Sequence, residues 1–451
     1  MGMPSSSLFL TILIFLSYLL LALGSDHKCD SSDQGSTLKV MHIYDQCSPF
    51  RPAKALSWEE TVLDMAAKDE ARLLYLSSLI AGRSFVPIAS ARQITQSATY
   101  IVRAKIGTPA QTMLMTMDTS NDAAWIPCSG CVGCSSTVFA SAKSTTYRPL
   151  GCQSAQCKQV WNPTCAGATC SFNQTYGSST FAANLSTDTF TLAADTIPNY
   201  SFGCLSQVTG TSLPPQGLLG LGRGALSLLS QTQNLYRSTF SYCLPNFKSS
   251  NFSGTLRLGP VGQPKTIKTT PLLKNPRRPS LYYANLIAIR VGRKIVDIPP
   301  AALAFNPTTG AGGELKGATV SSLGGFDTCY TVPIVAPTIS FHFTGMNVTL
   351  PLDNILIHST AGSTTCLAMA SAPDNVNSVL NVIANMQQQN HRVMFDVPNS
   401  RLGVARELKV DNFGCFRWFT FVGGDRSGSG PLITGFAHVT LYAIFEVMLK
   451  I

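Results

Sequence analysis

Met113-Leu114-Met115-Thr116-Met117-Asp118-Thr119-Ser120 is an apolar run that ends in an acid followed by two small hydroxyl residues. Met113, Leu114, Met115 and Met117 predict a buried strand, so Asp118 is carried to the strand's end. A carboxylate there needs donors, and Thr119 and Ser120 have hydroxyls that can hydrogen-bond it and hold the loop. Trp125 follows in the same stretch. By itself an Asp-Thr-Ser run is a turn or a helix cap, and a single Trp is core.

Around this stretch the chain of 451 residues is 45% apolar and only 12% charged, enough for a large core and too few charges for disorder. Its length fits two or three domains. Gly 35 and Pro 26 favour short strands and turns over long helices. The net charge of +10 is scattered in short clusters such as Arg277-Arg278 and Arg293-Lys294. With no basic stripe interleaved with aromatics, nucleic acid is not an expected partner.

Leu8 to Leu23 is apolar and is followed directly by Asp26, His27 and Lys28, with Ala22-Leu23-Gly24 as a cleavage site. This reads as a secretory signal peptide over 1–24, too short for a membrane span. Fourteen cysteines then fit disulfides in an oxidising compartment. Cys128-x2-Cys131-x2-Cys134 looks like part of an iron–sulfur run, but Val138 stands at the fourth ligand position. No second Cys or His pair completes a zinc site, and neither metal nor cofactor is expected. Asn-x-Ser/Thr sequons at Asn173, Asn184, Asn199, Asn251 and Asn347 agree with secretion.

Residues 25–97 differ in pattern from the strand-rich remainder of the chain. Ser57-Trp58-Glu59-Glu60 is a capping box opening an amphipathic helix from Thr61 to Ile80, which Gly82 ends. A helical segment between a signal peptide and a strand-rich body reads as a pro-segment. From Tyr100 on, short period-two runs such as Tyr100–Ile106, Thr189–Leu192 and Gly254–Leu258 predict an all-β body. Leu218-Leu219-Gly220-Leu221-Gly222 closes the first half, and Val382-Ile383-Ala384-Asn385 stands at the matching place in the second. This order suggests two related lobes, over 98–262 and 263–406.

A set of motifs in order carries a resemblance. It comprises Ile106-Gly107-Thr108-Pro109, Asp118-Thr119-Ser120, Trp125-Ile126-Pro127-Cys128, Tyr176-Gly177-Ser178-Ser179, Phe202-Gly203-Cys204 and Gly217–Gly222. Phe240-Ser241-Tyr242-Cys243, Pro271-Leu272-Leu273, Phe326–Tyr330 and Gln387-Gln388-Gln389-Asn390 continue it. From about Lys39 to Arg406 the chain resembles the plant pepsin-like aspartic peptidases of the nepenthesin and nucellin-like type. The resemblance implies a bilobal all-β fold, a monomer, a peptide or protein substrate and acid-optimal endopeptidase activity. It implies that Asp118 is the first catalytic acid, with Thr119 and Ser120 orienting it. Tyr176 and Gly177 would belong to a flap over the substrate, with Trp125 behind it, and Cys329 would pair with Cys366. The expected location is extracellular, in the apoplast, with the vacuole as the other compartment this allows.

Chemistry of this type uses two carboxyl groups sharing one proton, because two like charges at one site do not both ionise cheaply; the aspartic proteases are themselves the standard case. The family carries its second acid in an Asp-Ser-Gly-Thr run, and no Asp-Ser-Gly or Asp-Thr-Gly occurs in this chain. Phe305–Gly310 instead leads through Glu314 to Ser321-Ser322-Leu323. The family layout then implies that a strand, the acid-bearing turn and a helix are missing, so the C-terminal lobe is truncated internally. Glu314 lacks the flanking pattern, and Asp327 belongs to the Phe-Asp-x-Cys-Tyr motif, so neither is assigned as catalytic. Residues 407–451 match nothing in the family, and membrane anchoring by this tail is not expected, since Glu446 interrupts its apolar end. The alternative reading is a non-catalytic peptide-binding or inhibitor-like homologue, or an altered splice form. Neither a His-Glu-x-x-His nor a Gly-x-Ser-x-Gly motif offers another hydrolase.

Overall fold

The computed structural model describes residues 35–54, scattered positions from 56 to 65, 100–135, 137–176, 179–211, 213–244, 254–265, 267–276, 278–296, 326, 329–330, 336–358, 364–369, 382–407 and 449–450. The signal peptide, most of the expected helix, Gly177, Glu314, Asp327 and most of the tail lie outside them. The capping box is formed. Ser57 N–H donates to Glu60 Oε2 at 2.7 Å, and Glu60 N–H donates to Ser57 Oγ at 3.1 Å.

Strands dominate, as the period-two runs predict. Tyr100–Ile106 pairs antiparallel with Gln111–Asp118, in register from Ile101↔Thr116 to Ile106↔Gln111. Leu218–Gly220 lies parallel to Gln111–Asp118, setting Gly220 opposite Asp118, and Leu218 pairs antiparallel with Trp125. Trp125–Val132 continues parallel to Asp195–Thr209, placing Trp125 opposite Gly203. A side chain at Gly203 would meet Phe172 at 2.8 Å and the Trp125 and Ala183 Cβ atoms at 3.2 and 3.3 Å, so the packed face of the sheet leaves room for glycine there. Ser179–Leu192 and Thr169–Tyr176 complete an antiparallel meander.

In the other direction the same sheet crosses into the second half. Thr37–His42 pairs with Tyr100–Ile106 on one side and Gly254–Leu258 on the other. Leu38 and Val40 are fully buried there, so the stretch read as a pro-segment contributes a strand to the sheet that joins the two halves. The path runs on through Thr239–Cys243, His391–Asp396, Arg401–Arg406 and Thr269–Pro271. Phe240 and Phe395 stack across it at 4.7 Å.

A buried ion pair closes this region. Arg392 grips Glu407 by Nε–Oε1 at 2.8 Å and Nη2–Oε2 at 3.0 Å, and also donates to Ser241 Oγ and Thr255 Oγ1. Glu407, the first residue of the stretch outside the resemblance, is thus packed into the sheet. Smaller sheets form the rest of the second half: Leu286–Val291 with Lys294–Ile295, Ile339–Phe343 and Met346–Thr349, and Leu356–His358 with Thr365–Leu367 and Cys329–Tyr330.

The Cys128-x2-Cys131-x2-Cys134 run resolves into disulfides, Cys128–Cys204 and Cys131–Cys134. Cys152–Cys165 and Cys157–Cys170 are also bonded, and Cys329 pairs with Cys366 as the resemblance implied. Among the described residues, no group of three or more His, Cys, Asp or Glu is placed to hold a metal ion.

Candidate active site

Parallel pairing with Leu218–Gly220 fixes the strand end that presents Asp118. Leu221 N–H donates to the Asp118 carbonyl at 2.8 Å, so the chain leaves the sheet at a defined point. The Asp118 side chain is buried, 2% exposed, and its two oxygens are separately held. Oδ1 accepts the Ser120 N–H at 2.7 Å and the Ser120 hydroxyl at 2.6 Å. Oδ2 accepts Asn121 Nδ2 at 2.6 Å and the Tyr176 hydroxyl at 3.3 Å. Such hydrogen bonds fix a carboxylate in place and offset the cost of burying it. Thr119 is buried beside it.

Tyr176 ends the Thr169–Tyr176 strand and is fully buried. Its ring meets Trp125 edge-on, with centroids 5.5 Å apart and planes at 74°. Phe181 lies 5.0 Å from Trp125 on the same cluster, which also includes Phe172, Leu205, Leu218 and the Cys157–Cys170 pair. The structure therefore brings Asp118, Ser120, Tyr176 and Trp125 together. Trp125 Nε1 is buried with no acceptor among the described residues.

Two neighbours carry no clear signal in the sequence. Asn121 supplies one of the two 2.6 Å bonds to the acid, and its only mark is that it is a third polar residue after Asp118. Asp122 turns the other way. Its Oδ1 accepts Gly224 N–H at 2.8 Å. Side chains at Gly222 or Gly224 would come within 2.4 and 2.3 Å of its carboxyl group, so the two glycines form its cradle. Burial raises the Asp122 carboxyl above the usual carboxylate range. The Gly224 N–H, Ser280 and the Arg278 charge act against that rise, and the Asp118 charge adds to it.

Arg223, between those glycines, reaches into the second half. It donates to the Leu273 carbonyl at 3.1 Å and to that of Leu281, with its guanidinium 5.3 Å from the Tyr282 ring centre. Tyr282 in turn donates to the Leu221 carbonyl at 2.7 Å. These contacts tie Leu273, Leu281 and Tyr282 to Leu221 and Arg223, just beyond the strand that lies beside Asp118.

Comparison with known proteins shows the family of the chain. Family models described as the xylanase inhibitor N-terminal and C-terminal domains match residues 100–260 and 314–406. Aspartyl protease AED3 of Arabidopsis thaliana is 48% identical over 447 residues, covering 90% of this chain and 99% of the relative. The chain belongs to the plant pepsin-like aspartic peptidases. Aspartyl protease 25 of Oryza sativa subsp. japonica is 43% identical over 418 residues, covering 81% of this chain and 94% of the relative. Aspartic proteinase nepenthesin-1 of Nepenthes gracilis is 32% identical over 345 residues, covering 68% and 77%. Among solved structures, soybean basic 7S globulin and edgp share the fold. Their TM-scores are 0.52 and 0.54, each at 19% identity, covering 68% and 70% of this chain and 92% of each structure. The pepsin-like family accounts for the all-β bilobal fold, and by family this chain is an aspartic-type endopeptidase acting on peptides or proteins.

Proposed function

We propose that the chain is a secreted endopeptidase in which Asp118 binds and activates the water that attacks the scissile carbonyl. The observation that carries this reading is a buried carboxylate at a strand end, with each oxygen separately hydrogen-bonded and the Tyr176 hydroxyl on one of them. Ser120 and Asn121 hold Asp118 so that its position does not relax as charge moves, and Thr119 shapes the loop. Tyr176, with Gly177, is the flap residue that covers substrate and excludes water, and Trp125 supports it from behind. In the family's chemistry a second, protonated carboxyl donates to the carbonyl oxygen and gives an acid optimum; in this chain Asp118 is the one acid assigned, and turnover at acid pH tests whether it suffices. Secretion is supported by the apolar leader and by the disulfide-rich first half. No helix among the described residues is long and apolar enough to cross a membrane.

A second reading is favoured by one observation. No Asp-Ser-Gly or Asp-Thr-Gly follows Asp118 in this chain. A pepsin-like groove with one acid is a peptide-binding or inhibitor-like site. Incubating the secreted chain at acid pH with an internally quenched peptide, with and without a statine-type transition-state mimic, separates the two. Turnover blocked by the mimic supports the peptidase. Binding of the mimic without turnover supports the second reading.

A further inference from the structure

The strand Thr169–Tyr176 has two faces of opposite character. Cys170, Phe172 and Tyr176 are buried in the Trp125 cluster, whereas Ser171, Asn173 and Thr175 alternate onto the outer face. Asn173 is exposed and opens the sequon Asn173-Gln174-Thr175. From Ser171 to Tyr176 the strand pairs with Ser179–Leu192, with Asn173 opposite Ala182. On its other side Thr164–Ala166 covers only Thr169 to Ser171. Over Phe172–Gln174 the strand is therefore paired on one side only among the described residues. An edge left unpaired in this way is a template for strand addition by another chain unless something bulky or charged guards it.

We propose that Asn173 carries an N-linked glycan, and that this glycan guards the open edge of the hairpin against pairing with a second chain. The inference rests on the secretory part of the proposed function and not on catalysis. Asn173 Nδ2 bonds the anomeric carbon of an oligosaccharide supplied by a lipid-pyrophosphate donor; the amide loses a proton and the lipid pyrophosphate leaves. Tyr176 is on the opposite face three residues on, so the sugar stands outside the acid's surroundings. The neighbouring sequon at Asn184 differs. Its side-chain Oδ1 accepts the Ser171 hydroxyl at 2.8 Å, and its strand is paired on both sides. The sequon's Ser186 is fully buried, with its hydroxyl 2.9 Å from the Tyr147 hydroxyl. A sugar on Asn184 would displace the Ser171 bond, so a folded chain is expected to carry Asn184 bare. Asn347, exposed on the strand Met346–Thr349, is the internal reference for a modified site.

The test is to express the full chain through a yeast secretory pathway, treat it with a peptide N-glycosidase in heavy-oxygen water and map the converted sites by mass. Conversion at Asn173 and Asn347 with Asn184 untouched is expected. Conversion at Asn347 with Asn173 bare overturns the inference and leaves secretion standing, whereas no conversion anywhere in a cell-retained chain removes both. Light scattering after size exclusion then compares variants. Wild type is expected to run as a monomer, Asn173→Gln to shift to twice that mass or more, and Asn173→Lys to return to monomer. A monomeric Asn173→Gln overturns the guarding role.

Discussion

The Tyr176 hydroxyl donates to Asp118 Oδ2 at 3.3 Å while its ring stands edge-on to Trp125. One residue thus ties the strand Thr169–Tyr176 to Asp118 by its oxygen and to the core by its ring. Tyr176→Phe keeps the ring contact and removes the hydroxyl. Thermal stability should stay close to wild type, and kcat/KM should fall on the order of tenfold, as for loss of one hydrogen bond to a charged group. Tyr176→Ala, which also empties the cluster, should lower both. Equal stability losses in the two variants would show that the hydroxyl is structural.

Asp122 gives a pH signature. Its carboxyl is raised by burial, so the protonated form suits the fold. The contribution is full below the unfolded carboxyl's pKa, about 3.9, and is lost as pH rises through the folded value. Asp122→Asn can still accept the Gly224 N–H without carrying a charge. Melting curves should show the variant matching wild type near pH 3 and exceeding it at pH 7. A variant less stable at pH 7 would contradict the cradle's account.

His391 works in the opposite sense. Burial pushes the imidazole down to about 4, and the Arg406 charge adds to the fall, against the hydrogen bonds to the Gln389 and Thr349 backbone. A base with a lowered folded pKa contributes stability above its unfolded value, about 6.5, and loses it as pH falls toward 4. Charging it in place costs on the order of 3 kcal/mol. His391→Asn should flatten the fall in melting temperature between pH 6.5 and 4. An unchanged slope would place the acid sensitivity elsewhere.

How much of this could be read in the chain depended on whether a feature is local. Asp118, Ser120, Trp125 and Tyr176 could be singled out in the sequence because each stands in one of a series of short motifs whose order gives them a meaning that none has alone. Asn121 is equally close, but nothing in its spacing says that its amide turns toward Oδ2. Asp122 and Gly224 meet across 102 residues, and only the parallel register of Leu218–Gly220 brings them together. Thr37–His42 is a six-residue run in a stretch dominated by a helical pattern, so its place in the central sheet came from tertiary pairing alone. Glu407 read as the start of foreign sequence because its partner, Arg392, lies on another strand.

That ion pair yields a further prediction. Both groups are almost fully buried, at 0% and 3% side-chain exposure. Removing one leaves an uncompensated charge, so Glu407→Ala should cost roughly 3–5 kcal/mol in urea unfolding. The double change Arg392→Met with Glu407→Leu should recover most of that loss. Failure to recover would show that Arg392 matters mainly through Ser241 and Thr255.

The central claim is that Asp118 activates the attacking water. Its most direct measurement is the acid-pH hydrolysis of an internally quenched peptide by the secreted chain and by Asp118→Asn, with folding of the variant checked by its melting curve. The account predicts wild-type turnover and a loss of about 10³-fold or more in the folded variant. A folded Asp118→Asn that cleaves at the wild-type rate would contradict it.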